Sequence, residues 1–501
     1  MPHIIIIFLL LPAFSSHAND SAESPVLQIG SRRELFVDRF LIDSMKDVRL
    51  QLNQPREEET VLRFDAGHEG PFAGYTTVIR DGDLFRMYYR GISQISRDGS
   101  EHERTCYAES RDGVTWTKPQ LGLFEFNGST ANNIVLADVA PVTHNFCPLL
   151  DTNPDAPASE RYKGVGGTGD ELFAFVSADG LHWKRMQADP ILSSADVSLR
   201  HRHLFDSQNL AFWSDSEQCY VCYFRLWDGI RRIARTTSPD FRNWSPAVLM
   251  RQMHDDGVTG PRPAPEEHLY TNQTTPYFRA PHLYFATAAR FFPGRQVVND
   301  EQAAALNVNP KYYKDTSDSV FMTSRGGDVY DRTFLEGFLK PGIGLGNWVS
   351  RANYPALNIV QTGPTEMSFY VNHHYAQPTA HLKRYSLRLD GFASLHADAA
   401  EGEFTTKPLI FSGSELQINF ATSAGGSIRF ELQDLSGKPI PGFALSDCQQ
   451  LIGNEITRTV HWTSASDLSK LAGRSVRLRC VLRDADLFAL QFLAEESTDP
   501  T

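Results

Sequence analysis

Along most of this chain apolar and polar residues alternate with a period of two, in short runs that stop at Asp, Asn, Gly or Pro. Leu-Phe-Arg-Met-Tyr-Tyr at 84–89 is one such run, and the β-branched Tyr-Thr-Thr-Val-Ile at 75–79 precedes it. Successive side chains of a strand point to opposite faces, so this period predicts half-buried strands; Asp81-Gly82 between the two runs predicts a tight hairpin with positive φ. The same reading predicts strands at 105–109, then at 133–136, 145–150, 161–165 and 172–176. It continues at 207–213, 220–226 and 232–237, at 274–278, 282–286 and 319–323, and at 367–372 and 382–389. A long insertion separates Phe291 from Asp318 in the fourth group. Helical periodicity is nearly absent, which predicts an all-β protein.

A turn recurs at the end of these groups. Ser110-Arg-Asp-Gly-Val-Thr-Trp116 returns as Ser177-Ala-Asp-Gly-Leu-His-Trp183 and as Ser238-Pro-Asp-Phe-Arg-Asn-Trp244, with looser copies starting at Ser324 and Ser386. Asp-Gly supplies a positive-φ turn, Ser and Asp side chains can bond the turn backbone, and the Trp packs back on a neighbouring strand. The starting serines are 67, 61, 86 and 62 residues apart, the kind of spacing that marks a blade repeat. Five copies predict a five-bladed β-propeller over residues 31–400. Residues 401–497 lose the turn but keep the alternation, at 415–420, 427–432, 458–462, 476–482 and 487–493, which predicts a C-terminal β-sandwich.

In a propeller the innermost strand of each blade runs along the central channel, so the residues just before those strands converge on one mouth. With innermost strands starting at 75, 145, 207, 274 and 366, the converging residues are Glu69 (with His68), His144, Asp206, Gln273 (with Asn272) and Glu366. Glycoside hydrolysis needs two carboxyl groups flanking the scissile bond, one protonating the leaving oxygen and one attacking or activating water. Glu69, Asp206 and Glu366 are the catalytic candidates. Glu366 opens an otherwise apolar strand, where burial favours the protonated acid; Asp206 is followed by Ser207, Gln208 and Asn209, which favour its charged form as base or orienting carboxylate. His144, Gln273, Tyr270 and Arg279 are candidate substrate-binding residues, since aromatic faces and forked donors suit sugar rings and anionic groups. For His144 a satisfied buried histidine, a sugar contact and a ligand to a central ion all stay open, and Trp213 is either a sugar platform or core packing.

Composition narrows this further. The 501 residues carry a formal net charge of −12, which argues against a nucleic-acid surface. An apolar run from Ile4 to Leu11, then Ser16 and Ala18 in small-x-small spacing, predicts a signal peptide over residues 1–18 and export to the periplasm or beyond. The run is too short for a permanent membrane anchor. Six cysteines are sparse for an exported chain of this size, so disulfides are not the scaffold; Cys448 and Cys480 are candidate bridge partners. Cys219 and Cys222 lie in a predicted strand and face opposite sides, which suits buried thiols better than a metal pair. His201-Arg202-His203 has no further spaced ligands, and the glycine-rich stretch 164–169 lacks the Lys-Ser/Thr ending of a phosphate loop. No cofactor or metal is expected on these grounds, and a central Ca²⁺ has no ligand cluster to mark it.

The repeated Ser-x-Asp-Gly-x-x-Trp turn and the segment Asp81-Gly-Asp-Leu-Phe-Arg-Met-Tyr-Tyr-Arg-Gly91 resemble the five-bladed propeller glycoside hydrolases of families 32, 43 and 68, and most of all exported family-32-like bacterial proteins. The resemblance implies a secreted enzyme acting on a poly- or oligosaccharide, with three acids on successive blades. The Asn-Asp-Pro-Asn, Arg-Asp-Pro and Glu-Cys motifs of family 32 are absent, so invertase or fructanase activity does not follow. The alternative is a non-catalytic carbohydrate-binding propeller.

Overall fold

The computed structural model describes residues 25–94, 98–200, 202–463 and 467–493; the leader assigned to residues 1–18 lies outside them, as does His201. Among the described residues the chain is nearly all-β, with one short α-helix, Asp300–Ala305, inside the long insertion. Its sheets have a propeller-like arrangement in which four blades are distinct.

Three strands in each of the first four sheets fall where the alternation predicts them. The first is a meander of Gly74–Asp81, Leu84–Gly91, Arg104–Ser110 and Ile134–Leu136. Cys147–Leu150, Tyr162–Gly166, Glu171–Ser177 and Lys184–Arg185 follow in the second. The third comprises Leu210–Ser214, Cys219–Asp228, Ile230–Ser238 and Val248–Leu249. In the fourth, Thr274–Tyr277, Ala280–Phe292 and Thr316–Ser324 lead to Val329–Asp331, and Arg251–His254 pairs in parallel with that last strand. A further sheet starts with Tyr354–Pro355 and Val360–Gln361, continues through Glu366–His373 and His381–Arg388, and is completed by Arg56–Arg63 from the opposite end of the sequence.

The first strands of these sheets meet on a common axis and fill it. Thr77 bridges Leu357 in parallel. Gln208 Nε2 donates to Thr77 Oγ1 at 2.8 Å, while Gln273 Nε2 donates to Gln208 Oε1 at 2.7 Å and to the Pro355 carbonyl at 2.8 Å. Polar side chains therefore tie the sheets to one another across the axis.

The recurring turn has one geometry in its three close copies. Ser110 Oγ accepts from the Gly113 amide at 2.9 Å, Asp112 Oδ1 accepts from the Val114 and Thr115 amides at 2.8 and 2.7 Å, and Trp116 Nε1 donates to the Gly113 carbonyl at 3.1 Å. Gly180, Asp179 and Trp183 repeat it, as do Asp240 and Trp244 around Phe241. Neighbouring sheets clamp two of these turns: Tyr370 donates to the Gly113 carbonyl at 2.6 Å and Tyr88 to the Gly180 carbonyl at 3.0 Å. A Cβ at Gly180 would lie 2.6 Å from Tyr88 Oη, and φ is +77° there, so both space and backbone require glycine. The looser copies differ: Ser324 Oγ bonds the Gly326 carbonyl and Ser386 Oγ bonds Glu58.

Residues 393–493 form a separate curved sheet dominated by two long antiparallel strands, Glu415–Gln433 and Arg477–Leu493. Strands at Glu34–Leu35, Ile42–Lys46 and Arg49–Leu52 join that sheet, so the segment after residue 31 pairs with the C-terminal region rather than with the blades. Phe404, Phe411, Phe430, Trp462 and Phe492 fill its core. All six cysteines are free, which corrects the suggested Cys448–Cys480 bridge: both thiols are buried as ordinary core groups, and the Phe430 amide donates to Cys448 Sγ. Among the described residues no helix is long and apolar enough to cross a membrane.

Candidate functional site

Near the start of the first strand of each of the five blade-like sheets the backbone turns into the left-handed region at a residue other than glycine. Tyr75, Asn145, Phe205, Gln273 and Asn353 have φ of 51°, 56°, 61°, 46° and 65°. Such conformations cost of order 1 kcal/mol each and persist where the surroundings hold them in place.

Asp206 is the carboxylate at one mouth of the axis. Arg225 Nη2 donates to its Oδ2 at 2.7 Å, and His144 Nε2 lies 3.6 Å from its Oδ1. Burial works against the Asp206 charge, but His144 and Arg225 outweigh it and hold the carboxyl well below the usual carboxylate range. His144 is buried, with Nδ1 2.8 Å from Glu103 Oε2. Burial alone would discharge the imidazole; the Asp206 and Glu103 carboxylates on its two sides prevail and raise its pKa. Glu103 is correspondingly lowered, since the His144 contacts overcome its desolvation. The result is an imidazole set between two carboxylates, with only Asp206 of the three reaching the surface, its side chain 29% exposed.

Beyond Arg225 the row opens into a nest of tyrosines and arginines. The Arg225 guanidinium lies 4.9 Å from the Tyr270 ring centroid, and Arg231 and Arg351 lie 4.5 and 5.4 Å from the same centroid. Tyr354 packs on Tyr270 at 5.3 Å and on Tyr75 at 6.3 Å, and Arg90 covers Tyr75 at 4.6 Å. Arg90 is fixed by Asn145 Oδ1 at 3.0 Å, the Phe72 carbonyl at 2.9 Å and Tyr375 Oη at 3.1 Å. Several donors here are buried without a protein partner: Tyr354 Oη, Asn145 Nδ2, and the Nε of Arg90, Arg225 and Arg231. A buried donor left unpaired costs about 1–3 kcal/mol, so a cluster of them marks a place where ligand or solvent completes the bonding. Burial, reinforced by Tyr270, raises the hydroxyls of Tyr75 and Tyr354 far above their usual range, so both stay protonated donors. On its other flank Asp206 borders a cavity of about 880 Å³ lined by Asp98, Gly99, Glu101, Pro141, Thr168 and His203.

Of the residues singled out from the sequence, His144, Asp206 and Tyr270 therefore come together. The others do not. Glu69 is buried and spent: it accepts from Tyr89 Oη at 2.5 Å, the Ala66 amide at 2.9 Å and Lys118 Nζ at 2.7 Å. Glu366 lies on the second strand of its sheet, at the far end from the mouth, ion-paired with Arg384 at 2.8 Å. The first strand of that sheet is 354–361, so Arg351 and Tyr354 occupy the position expected of Glu366. Gln273 belongs to the axial plug, and Arg279 sits at the opposite hairpin end, 3.5 Å from Asp390. Trp213 packs on Tyr220 beside a different cavity. The arginines were missed, although Arg90 and Arg225 are buried within strands of mostly apolar residues; that was the available signal.

Asp98, Glu103 and His144 present oxygen and nitrogen atoms within 4.8 Å of one another, a set able to take a divalent cation. His144 and Glu103 already satisfy each other, so the donors fit an ion pair better than a metal.

No family model and no curated protein matches the chain. Solved structures do. An N-acetylgalactosamine deacetylase from F. plautii in complex with blood group B trisaccharide is 12% identical, with a TM-score of 0.42 over 68% of this chain and 96% of that one. A complex of BT0996 with RGII is 10% identical, with a TM-score of 0.41 over 66% and 92%. A thermostable family-43 glycoside hydrolase is 12% identical, with a TM-score of 0.38 over 63% and 89%. Likenesses of this strength carry neither residue roles nor an activity to this protein.

Proposed function

We propose that this protein is a glycoside hydrolase whose active centre is the mouth around Asp206. The observation that carries the reading is the half-buried carboxylate of Asp206, held ionised by Arg225 and His144, beside aromatic faces and unpaired buried donors on one side and a roomy cavity on the other. That is what a sugar ring with many hydroxyls needs. In this reading Asp206 is the base or nucleophile, and Asp98, on the rim of the same cavity, is the carboxyl that protonates the leaving oxygen as water adds across the glycosidic bond. The sheet completed by residues 56–63 is read as a fifth blade, the curved sheet of 393–493 as a β-sandwich, and the first 18 residues as an export signal, in keeping with the resemblance to families 32, 43 and 68.

The test is release of reducing sugar from a polysaccharide panel by the wild type and by Asp206→Asn and Asp98→Asn. Turnover lost in both variants supports the reading; full activity in Asp206→Asn ends it. The second reading, a binding propeller without turnover, draws on Glu69 and Glu366 being locked into ion pairs away from the mouth. Saccharide binding with no hydrolysis on any substrate would favour it.

A further inference from the structure

We infer that the saccharide recognised at this mouth carries an oxyanion, a uronate carboxylate or a sulfate ester, held by Arg351 and Arg231. The inference rests on the mouth being a saccharide site.

The argument starts from charge. The protein as a whole is strongly acidic, yet four guanidinium groups, Arg90, Arg225, Arg231 and Arg351, surround Tyr270, Tyr75 and Tyr354. Asp206 ion-pairs with Arg225, and Glu103 is held by His144. Nothing among the described residues ion-pairs with Arg231 or Arg351. Arg231 is held by cation–π contacts with Trp227, Tyr270 and Phe291 at 5.2, 4.5 and 4.6 Å. Its Nη1 lies 3.4 Å from His268 Nδ1, and its Nε is buried with no partner. Arg351 lies over Tyr270 and Tyr312 at 5.4 and 5.1 Å, and its one polar side-chain contact among the described residues is a long 3.5 Å bond to Tyr312 Oη.

Several other arginines of this molecule that are withdrawn from solvent are given carboxylates: Arg290 has Asp318 and Glu267, Arg325 has Asp38 and Glu34, and Arg384 has Glu59 and Glu366. Stacking on aromatic rings fixes a guanidinium plane while leaving its forked N–H edge free, which is the geometry for a planar carboxylate or a sulfate. Arg351 is moreover placed by a left-handed backbone, with φ of 62°, in the segment leading to Tyr354. An arginine in that conformation, with no acidic partner, is explained by a ligand that supplies one.

The experiment is calorimetric binding to Asp206→Asn, which retains the arginines but not the catalytic carboxylate. The probes are oligogalacturonides, sulfated galactan oligosaccharides and neutral galacto-oligosaccharides, each at low and high salt. The expected result is binding of one acidic series, weakened by salt, with the neutral series at least about tenfold weaker; an ionic hydrogen bond is worth about that or more. Whichever acidic series binds identifies the oxyanion. Arg351→Asn, which tolerates a left-handed backbone, and Arg231→Met should each cost the acidic ligand about tenfold to a hundredfold and leave any neutral affinity unchanged, with the melting curve checked for folding. Equal binding of neutral and acidic probes, or acidic affinity untouched in both folded variants, overturns the inference while leaving the saccharide reading intact. Binding of no saccharide at all overturns both.

Discussion

At the far end of the last sheet Glu366 bonds Arg384, which also takes Glu59, and Ser386 and Arg56 reach Glu58, so the carboxylates there are paired within the fold. At the mouth end of the same sheet Arg351 and Tyr354 have tyrosine rings for neighbours, and Arg231 and Tyr354 keep buried donors with no partner. Both regions are half-buried and rich in arginine. The difference is whether the fold has spent its charges on itself. A network closed by its own carboxylates stabilises the sheet edge modestly, as ion pairs near the surface do. A network left open carries a folding cost that a ligand offsets.

Four substitutions break or sharpen this contrast. The largest effect is expected at Asp206: Asp206→Asn should lower turnover by about a thousandfold, because it removes the carboxylate held between Arg225 and His144, and should lower the melting temperature as well, because it leaves the buried Arg225 without its ion pair. Glu69→Gln comes next and should act on stability alone. Removing one member of the buried Glu69–Lys118 pair should cost about 3 kcal/mol in urea denaturation, with kcat of the folded fraction preserved. Asp179→Ala, which strips two backbone bonds from a blade turn, should cost about 1 kcal/mol by the same measurement. Glu366→Gln should be the mildest, with activity unchanged and stability within about 1 kcal/mol; loss of turnover there would move the active centre to the opposite end.

The mouth also has a pH signature. The His144 pKa is raised by its carboxylates, so its contribution to stability is complete below the ordinary value of 6.5 and is lost as pH rises through the higher folded value. Glu103 is lowered, so its contribution is present above 4.5 and is lost as pH falls through the folded value. The melting-temperature gap between wild type and His144→Gln should therefore be widest between these limits and narrow on both sides. A gap independent of pH would mean that the imidazole is not charged in the fold.

Much of the architecture was legible because strands and tight turns are short-range objects. Alternation located three strands in each of the first four sheets, and Ser-x-Asp-Gly-x-x-Trp located three turns whose hydrogen bonds span only a few residues. The reading failed in the last sheet for a local reason. Its first strand is two short pieces, Tyr354–Pro355 and Val360–Gln361, and a proline in the run hides the alternation. Counting from the next strand then moved the expected mouth residue from Tyr354 to Glu366. Glu69 misled differently: its position in the sequence is near the mouth, but Lys118 and Tyr89 turn its carboxylate inward.

The sequence by itself determined the all-β class, the repeat, and the candidacy of Asp206, His144 and Tyr270, because period, turn chemistry and proximity to a strand start are written within a few residues. Only the tertiary structure decided which charges are paired. Arg351 and Tyr270 are far apart in the sequence and 5.4 Å apart in space, and Asp206 owes its charge to His144 and Arg225 from two different sheets. Electrostatic state depends on distances across the assembled core, and no local pattern of residues encodes those distances.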